Sequence, residues 1–550
     1  MNARVPNLSR RQFIVGTSAI TTGLAIGLEF PGVIGSAHAQ GADKASAPEI
    51  GVWVVIQPND TVVIRVVRSE MGQGTITGLA QLVAEELECD WKKITIDYPT
   101  PGESLKRKGV WGSFSTGGSR GIRTSEDYVR KGGAAARIML IEAAANQWGV
   151  PAAECLAANS IITHQASGRS ISFGKVAAAA AKLPVPDAKG IELKDPRRWK
   201  VIGKSMDRLD SLADKVTGKQ VYAIDLKMPG MLNATIKECP VFGGKLKSFD
   251  ASKVAGMKGV KKVVQVGDTA VAVVADTFWQ AKTAMDRLPI VWDEGPNASV
   301  QQADILKRLE EGLKAEQTFV GNANGDYKKA AADSSKTIEA QFFYPFLNHA
   351  PLEPMNATAV WTADSCRAWV PTQDGEASLA AVIAASGLTA DKCDVIKVNL
   401  GGGFGRRIEL DFISQAVQVS KAVGRPVKVL WTREDDMKHD FYRPMALNRM
   451  EAGLDASGKP VGYKLQLTSQ SITQRAFGLP KNTLDPFMVE AAVAPYEIGN
   501  TSHDLIIHDT GFRVGYLRAV SHTMNCFANE CFMDELAHAA GKDPIKYRLD

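Results

Sequence analysis

A chain of 550 residues is too long for a single core and predicts three or four domains. Its 45% hydrophobic and 23% charged residues give it the composition of a soluble globular protein. A net charge of +5 without a basic cluster gives no argument for nucleic acid as a partner, and Lys106-Arg107-Lys108 reads as a solvated loop.

The first 39 residues read as a targeting segment. Ser9-Arg10-Arg11-Gln12-Phe13 carries paired arginines, Phe13 to Leu28 is mildly apolar, and Ala37-His38-Ala39 gives an A-x-A cleavage site: a twin-arginine signal, with periplasmic export implied. Retention as a membrane anchor is the alternative, although the stretch falls short of about 20 apolar residues. Cleavage removes three arginines and one glutamate, which takes the net charge from +5 to +3. Residues 40–50 form a small-residue linker.

The segment 51–200 reads as one domain. It begins with strands over Val52–Ile56 and Thr61–Val67, followed by Glu70-Met71-Gly72-Gln73-Gly74 opening a helix from Thr77 to Leu87. Trp91 to Tyr98 is predicted as a strand. Phe114 to Gly121 is a Gly/Ser turn ahead of an Ala-rich helix from Thr124 to Trp148, and a further helix lies near 173–182. Within 201–295, strands near 263–266, 269–275 and 290–292 and a helix from Thr277 to Arg287 predict a small α+β module. Residues 296–334 are polar and Lys-rich, a connector with one helix. The remainder, 335–550, mixes strands and helices around a glycine loop, so the fold class is α+β, a mixed αβ architecture.

That loop, Val398-Asn399-Leu400-Gly401-Gly402-Gly403-Phe404-Gly405-Arg406-Arg407, follows an apolar strand from Val395 and precedes a helix over Asp411 to Val423. Glycines allow close backbone approach, Phe404 offers a flat face, and two guanidinium groups suit an anionic, phosphate-bearing cofactor. A tight structural turn with two solvated arginines is the alternative. Neither G-x-G-x-x-G nor the P-loop spacing occurs here. Gly72, Gln73 and Gly74 could offer backbone N–H groups and an amide to a pyrophosphate, or form a plain strand-to-helix turn. Ser115, Thr116, Gly117, Ser119 and Arg120 offer hydroxyls, backbone donors and a charge suited to phosphates. The seven cysteines, at 89, 155, 239, 366, 393, 526 and 531, contain no C-x-x-C and read as buried thiols, with no iron–sulfur cluster in this chain.

These motifs together resemble the molybdopterin-binding large subunit of the molybdenum hydroxylases, the xanthine dehydrogenase and aldehyde oxidoreductase family. Gly402, Gly403, Phe404 and Gly405 resemble its glycine loop at the metal, and Thr372-Gln373 the pair whose amide contacts the cofactor. Arg443-Pro444, Arg518 (followed here by Ala519 where many members have glycine), Glu530 to Ala537 and Asp543-Pro544 resemble further family elements. So does His349-Ala350-Pro351-Leu352-Glu353-Pro354, for which a structural turn is the preferred role. Residues 201–295 resemble the family's hammerhead domain. Elements such as Glu70–Gly74 and Thr116–Arg120 precede that domain here, a permuted order similar to the isoquinoline oxidoreductase and membrane-associated aldehyde dehydrogenase branch.

The resemblance implies cofactor-binding roles for Gly72, Gln73, Gly74, Thr116, Gly117, Ser119, Arg120, Gln373, Gly402, Gly403, Phe404, Gly405 and Arg518. It implies a molybdenum-bearing molybdopterin in its cytosine dinucleotide form. The reaction implied is hydroxylation of an aldehyde or N-heteroaromatic with water as oxygen source, and Ile408, where no purine-orienting carboxylate follows Arg407, argues against xanthine. Electrons would leave to a small 2Fe–2S ferredoxin-like subunit, with a cytochrome c subunit as a further partner. The family's general-base glutamate lies in a Gly-x-Gly-Glu motif that these residues lack. No catalytic residue is therefore assigned. A truncated chain, a separate C-terminal chain that supplies the base, and an inactive scaffold of the same fold are the competing expectations.

Overall fold

The computed structural model describes residues 49–315, 319–481 and 483–550, and the twin-arginine segment lies outside them. The chain divides into two compact units. One contains residues up to Leu226 together with Ala359–Leu400, the other Lys227–Thr358 together with Gly401–Asp550. The chain thus passes from the first unit into the second directly before the glycine loop.

In the first unit a four-stranded sheet runs Glu49–Ile50, Val54–Ile56, Val62–Arg65, Ile94–Asp97. The last two strands are parallel, with Val62 opposite Ile94, and helix Thr75–Leu87 makes the crossover between them. Alternation buries Val54, Ile56, Val62 and Ile64 against Leu79, Val83, Leu87 and the second helix, Glu126–Trp148. That helix comes close because Gly133 has no side chain: a Cβ there would lie 2.5 Å from the Val83 carbonyl oxygen. A second parallel pair, Cys366–Val370 and Cys393–Lys397, is joined by helix Gly375–Ser386, which begins with the Asp374 carboxylate accepting from Ala377 N.

The strands expected over Val52–Ile56 and Thr61–Val67 shorten to Val54–Ile56 and Val62–Arg65, and the one expected from Val395 runs over Cys393–Lys397. Three further boundaries shift for local reasons. Asp90 accepts from Lys92 N at 3.0 Å and closes a 3₁₀ turn over Trp91–Lys93, so the strand expected from Trp91 begins at Ile94. The helix expected from Thr124 begins at Glu126, after a separate short helix over Arg120–Arg123. Between them the Arg68 guanidinium donates to the hydroxyls of Thr124 and Ser125, which breaks the run. The helix expected from Thr77 begins at Thr75, directly after Gly74 at φ 89°.

In the second unit, Leu232–Glu238, Ala270–Ala275 and Val260–Val266 form an antiparallel meander extended by the parallel strand Val427–Leu430. Its companion helix Phe278–Met285 starts on a Thr277/Gln280 capping box. A five-stranded sheet runs Phe319–Asn324, Thr501–Ile507, Pro460–Ser469, Ala446–Leu454, Lys336–Tyr344. Helix His522–Ala539 covers it through Met524, Ala528, Phe532 and Leu536.

The connector holds more than the single helix expected. Besides Gln302–Gly312 it contains a second helix, Tyr327–Ala332, and the edge strand Phe319–Asn324, paired with Thr501–Ile507. Its Asn- and Gly-dotted sequence hides the strand because backbone pairing at an edge requires no apolar face. The cysteine expectation also needs correction: five thiols are buried, whereas Cys526 is exposed and Cys531 partly so, both on the outer side of helix His522–Ala539. Among the described residues no helix is long and apolar enough to cross a membrane.

The helix contact at Gly133 sets two effects against each other. Alanine is the better helix former by about 1 kcal/mol, but forcing a methyl into a packed contact costs about 1–3 kcal/mol. Gly133→Ala is therefore expected to lower the melting temperature of the chain. An unchanged or raised melting temperature would show that the two helices are not in close contact.

Candidate functional site

The predicted residues fall into two groups, one in each unit. In the first unit, strand Val62–Arg65 delivers Arg68 and Ser69 to a point where they stitch three distant segments together. Arg68 donates to the Ser115 carbonyl, and Ser69 N to Thr116 Oγ1 at 2.8 Å. Ser69 Oγ donates to the Thr372 carbonyl at 2.7 Å. Thr116 and Gln373 are then clasped directly: Thr116 N donates to the Gln373 carbonyl at 2.6 Å and Gln373 Nε2 to the Thr116 carbonyl at 2.9 Å. Both are buried, so the structure brings these two predicted residues together as a backbone clasp.

The Gly72 and Gly74 amides and the Gln73 side chain are not the free donors expected. The Glu70 carboxylate accepts from Gly72 N at 2.7 Å, Gly74 N at 3.0 Å and Ile76 N at 3.0 Å. Gln73 Nε2 donates to the Ser69 carbonyl and to Thr75 Oγ1, while its carbonyl accepts from Met71 N. Helix Thr75–Leu87 has no acidic residue in its first turn, and Glu70 supplies that negative charge from outside it. The signal was present in Glu70 itself, an acid five residues before the first residue of the helix.

Gly117, Ser119 and Arg120 form an open turn. Ser119 sits at φ 57° and is exposed. Arg120 Nε folds back on the Gly117 carbonyl at 3.2 Å, and Arg123, missed in the sequence, donates to the Gly118 carbonyl at 3.0 Å. Two guanidinium groups thus flank an exposed glycine turn without an ion-pair partner among the described residues, an arrangement suited to an anionic group.

Below this turn Lys397 is buried. Its ammonium donates to the Val67 carbonyl at 2.5 Å and lies 4.6 Å from the Tyr98 ring centre. Burial, reinforced by the Arg68 charge, pushes its pKa from 10.5 down to about 7.

In the second unit the glycine loop is held from beneath. The Glu353 carboxylate accepts from Gly401 N at 2.8 Å, and Glu353 N donates to the Gly401 carbonyl at 3.0 Å. Arg407 donates to the Gly402 carbonyl at 2.7 Å and to the Glu353 carboxylate at 3.0 Å. Arg406 makes a two-pronged pair with Asp411 at 2.9 and 2.7 Å, and its Nε lies 3.1 Å from Asp440. Both arginines are 0% exposed. This corrects the alternative of two solvated arginines: both are buried, and each is paired with internal carboxylates.

Burial raises the Asp440 carboxyl, but the His349 hydrogen bond and the Arg406 charge outweigh it and leave its pKa below the ordinary value. His349 is buried, pairs with Asp440 at 3.0 Å and lies 3.2 Å from the Tyr516 carbonyl, in keeping with a structural role.

Above this foundation Gly402 has φ 97° and Gly405 φ 112°, and a Cβ on Gly405 would fall 1.5 Å from the Tyr516 carbonyl oxygen. Gly403 closes the turn by accepting from Arg406 N at 2.9 Å. Phe404, at φ 56°, keeps its ring 38% exposed. Arg518 N donates to the Phe404 carbonyl at 2.7 Å, and its guanidinium stands 5.3 Å over the Phe404 ring. The structure therefore unites Gly402, Gly403, Phe404, Gly405 and Arg518. An aromatic face with an adjacent exposed guanidinium, on a loop whose carbonyls are held by internal donors, suits a planar ligand bearing negative charge.

A mixed αβ chain with a glycine loop, an aromatic face and exposed arginines defines a cofactor-binding protein. Two models of molybdopterin cofactor-binding domains match, one over residues 8–220 and one over 311–550. A membrane-bound aldehyde dehydrogenase of Gluconacetobacter polyoxogenes, whose name carries pyrroloquinoline quinone, is 30% identical over 99% of this chain and 72% of its own. The beta subunit of isoquinoline 1-oxidoreductase from Brevundimonas diminuta is 28% identical over 98% of this chain and 75% of its own. The fold is shared with an aldehyde oxidoreductase from Desulfovibrio gigas (TM-score 0.51, 20% identity), covering 68% of this chain and 46% of that one. This chain thus spans less than half of that solved chain. It belongs to the molybdenum hydroxylase family.

Lys397 gives this region a pH signature. The unfolded chain binds a proton at this lysine up to pH 10.5, the folded chain only up to about 7. Between those values the unfolded state holds more protons, so stability rises with pH, by up to about 1.4 kcal/mol per unit. Urea unfolding at pH 7.5 and 9.5 is expected to show that rise in the wild type and its loss in Lys397→Met. Equal slopes in the two proteins would contradict it.

Proposed function

We propose that this chain is the molybdopterin-binding subunit of an exported oxidoreductase that hydroxylates an aldehyde or an N-heteroaromatic. Water is the oxygen source, and electrons pass to a 2Fe–2S ferredoxin-like subunit, with a cytochrome c subunit as a further partner. The observation that carries the reading is the exposed Phe404 face with Arg518 over it, on a loop anchored by Arg407 and Glu353. Arg120 and Arg123 beside Gly117 and Gly118 suit the phosphates of a dinucleotide form of the cofactor, the cytosine form in this proposal. Export through the twin-arginine segment agrees with a cofactor installed before translocation.

When bound, the cofactor supplies the two-electron redox chemistry. This chain's own part is binding and orientation. Phe404 offers a flat contact, Arg518 a positive charge, and the Thr116–Gln373 clasp keeps the Gly117–Arg120 turn in place. No glutamate among these residues occupies a Gly-x-Gly-Glu motif, so we assign them no proton-transfer step. One observation favours a second reading, a non-catalytic scaffold: the Gly72 and Gly74 amides are already taken by Glu70.

Protein purified from a molybdenum-replete host decides between them. The proposal expects molybdenum and pterin close to one per chain, and a marked loss of both in the Arg120→Ala/Arg123→Ala double variant. Absence of both from the wild type would select the scaffold.

A further inference from the structure

Arg443 is buried at 3% exposure, yet among the described residues it forms an ion pair with no carboxylate. Its guanidinium instead spends two donors on a single turn. One nitrogen donates to the Val520 carbonyl and the other to the Arg518 carbonyl at 2.5 Å. The Tyr344 ring stands 6.0 Å away, and the like charge of Arg518 also acts on it. Burying a guanidinium against carbonyls alone is expensive, so the turn that it holds is the place to look for its use.

That turn is unusual. Ala519 has φ 72° and Val520 φ 43°, two consecutive non-glycine residues in the left-handed region, one of them β-branched. Such a conformation persists only where surrounding contacts impose it. The two carbonyls that Arg443 grips bracket the strained pair. On its other side the turn is tied to the glycine loop, through Arg518 N donating to the Phe404 carbonyl and the guanidinium over the Phe404 ring. Arg443 is itself fixed by its backbone, whose N–H donates to the Leu347 carbonyl at 2.9 Å.

We infer that Arg443 is a positioning residue: by gripping the Arg518 and Val520 carbonyls it holds the strained turn that places the Arg518 guanidinium over Phe404, and so sets the face that receives the cofactor. The inference rests on the function proposed above. The grip needs a fork. A lysine keeps the charge but presents one point donor group, and cannot reproduce two fixed, diverging N–H directions.

The test uses the full chain, with Arg443→Met, Arg443→Lys, Arg518→Met and the Arg443→Met/Arg518→Met pair. Amide hydrogen exchange is read at Arg518 and across strands Ala446–Leu454 and Pro460–Ser469, and molybdenum and pterin are counted in the purified proteins. Both Arg443 variants are expected to speed exchange at the Arg518 amide at least about tenfold while the strands stay protected. Cofactor content is expected to fall roughly tenfold, the usual scale for losing a residue that orients a ligand-contacting group. Adding Arg518→Met to Arg443→Met is expected to cause no further loss. Unchanged exchange at Arg518, strands that lose protection equally, or full restoration by lysine would each overturn the inference. A wild type that holds no molybdenum would defeat the functional reading instead, and the exchange comparison would then decide the role of Arg443 alone.

Discussion

The rest of the second unit depends on a set of paired buried charges beneath the glycine loop. Arg406 faces Asp411 and Asp440, Arg407 faces Glu353 and the Gly402 carbonyl, and His349 completes the hydrogen bonding of Asp440. Charges this deep are costly unless each is paired and hydrogen-bonded. Once paired, they leave the loop little freedom. Gly405 has no room for a side chain beside the Tyr516 carbonyl, and Gly401 is held on both its N–H and its carbonyl by Glu353. What remains exposed is the Phe404 ring and the arginine above it. The polar interior rigidifies a surface that is itself mostly aromatic.

The first unit solves a related problem with neutral partners. Arg68 and Ser69 draw Ser115, Thr116, Thr124, Ser125 and Thr372 into one knot, and the Thr116–Gln373 clasp closes it. Glu70 completes the arrangement by neutralising the start of helix Thr75–Leu87 with its own carboxylate. The consequence is selective: the Gly72–Gly74 turn is closed, whereas the Gly117–Arg120 turn stays open and positively charged. Conserving donors for a ligand and satisfying donors internally are alternatives, and two neighbouring glycine turns have taken different ones.

Much of this was legible in the sequence, and the failures share a physical cause. Helix Asp411–Val423 is bounded as expected, because its apolar spacing is regular and Gly424 ends it in the left-handed region. The glycine loop and its nearness to Arg518 followed from motif resemblance, and Ala519 at φ 72° shows why glycine suits that position. The fates of Arg406 and Arg407 were not legible. Their carboxylate partners come from positions 353, 411 and 440, and nothing local distinguishes a buried guanidinium from a solvated one. Glu70 turning onto Gly72 and Gly74 was missed for the opposite reason, since the partner was adjacent but only its backbone geometry reveals the bond. The edge strand Phe319–Asn324 escaped because its pairing is carried by backbone groups that composition does not report.

The central claim is that the paired arginines are foundations of the loop and not ligands of what the loop binds. Thermal unfolding of Arg407→Met tests it most directly. Removing the cation breaks the buried Arg407–Glu353 ion pair, which predicts a loss of about 3–5 kcal/mol and a clear fall in melting temperature whether or not cofactor is present. A variant that melts as the wild type does, but no longer retains pterin, would place Arg407 on the ligand side and contradict the account.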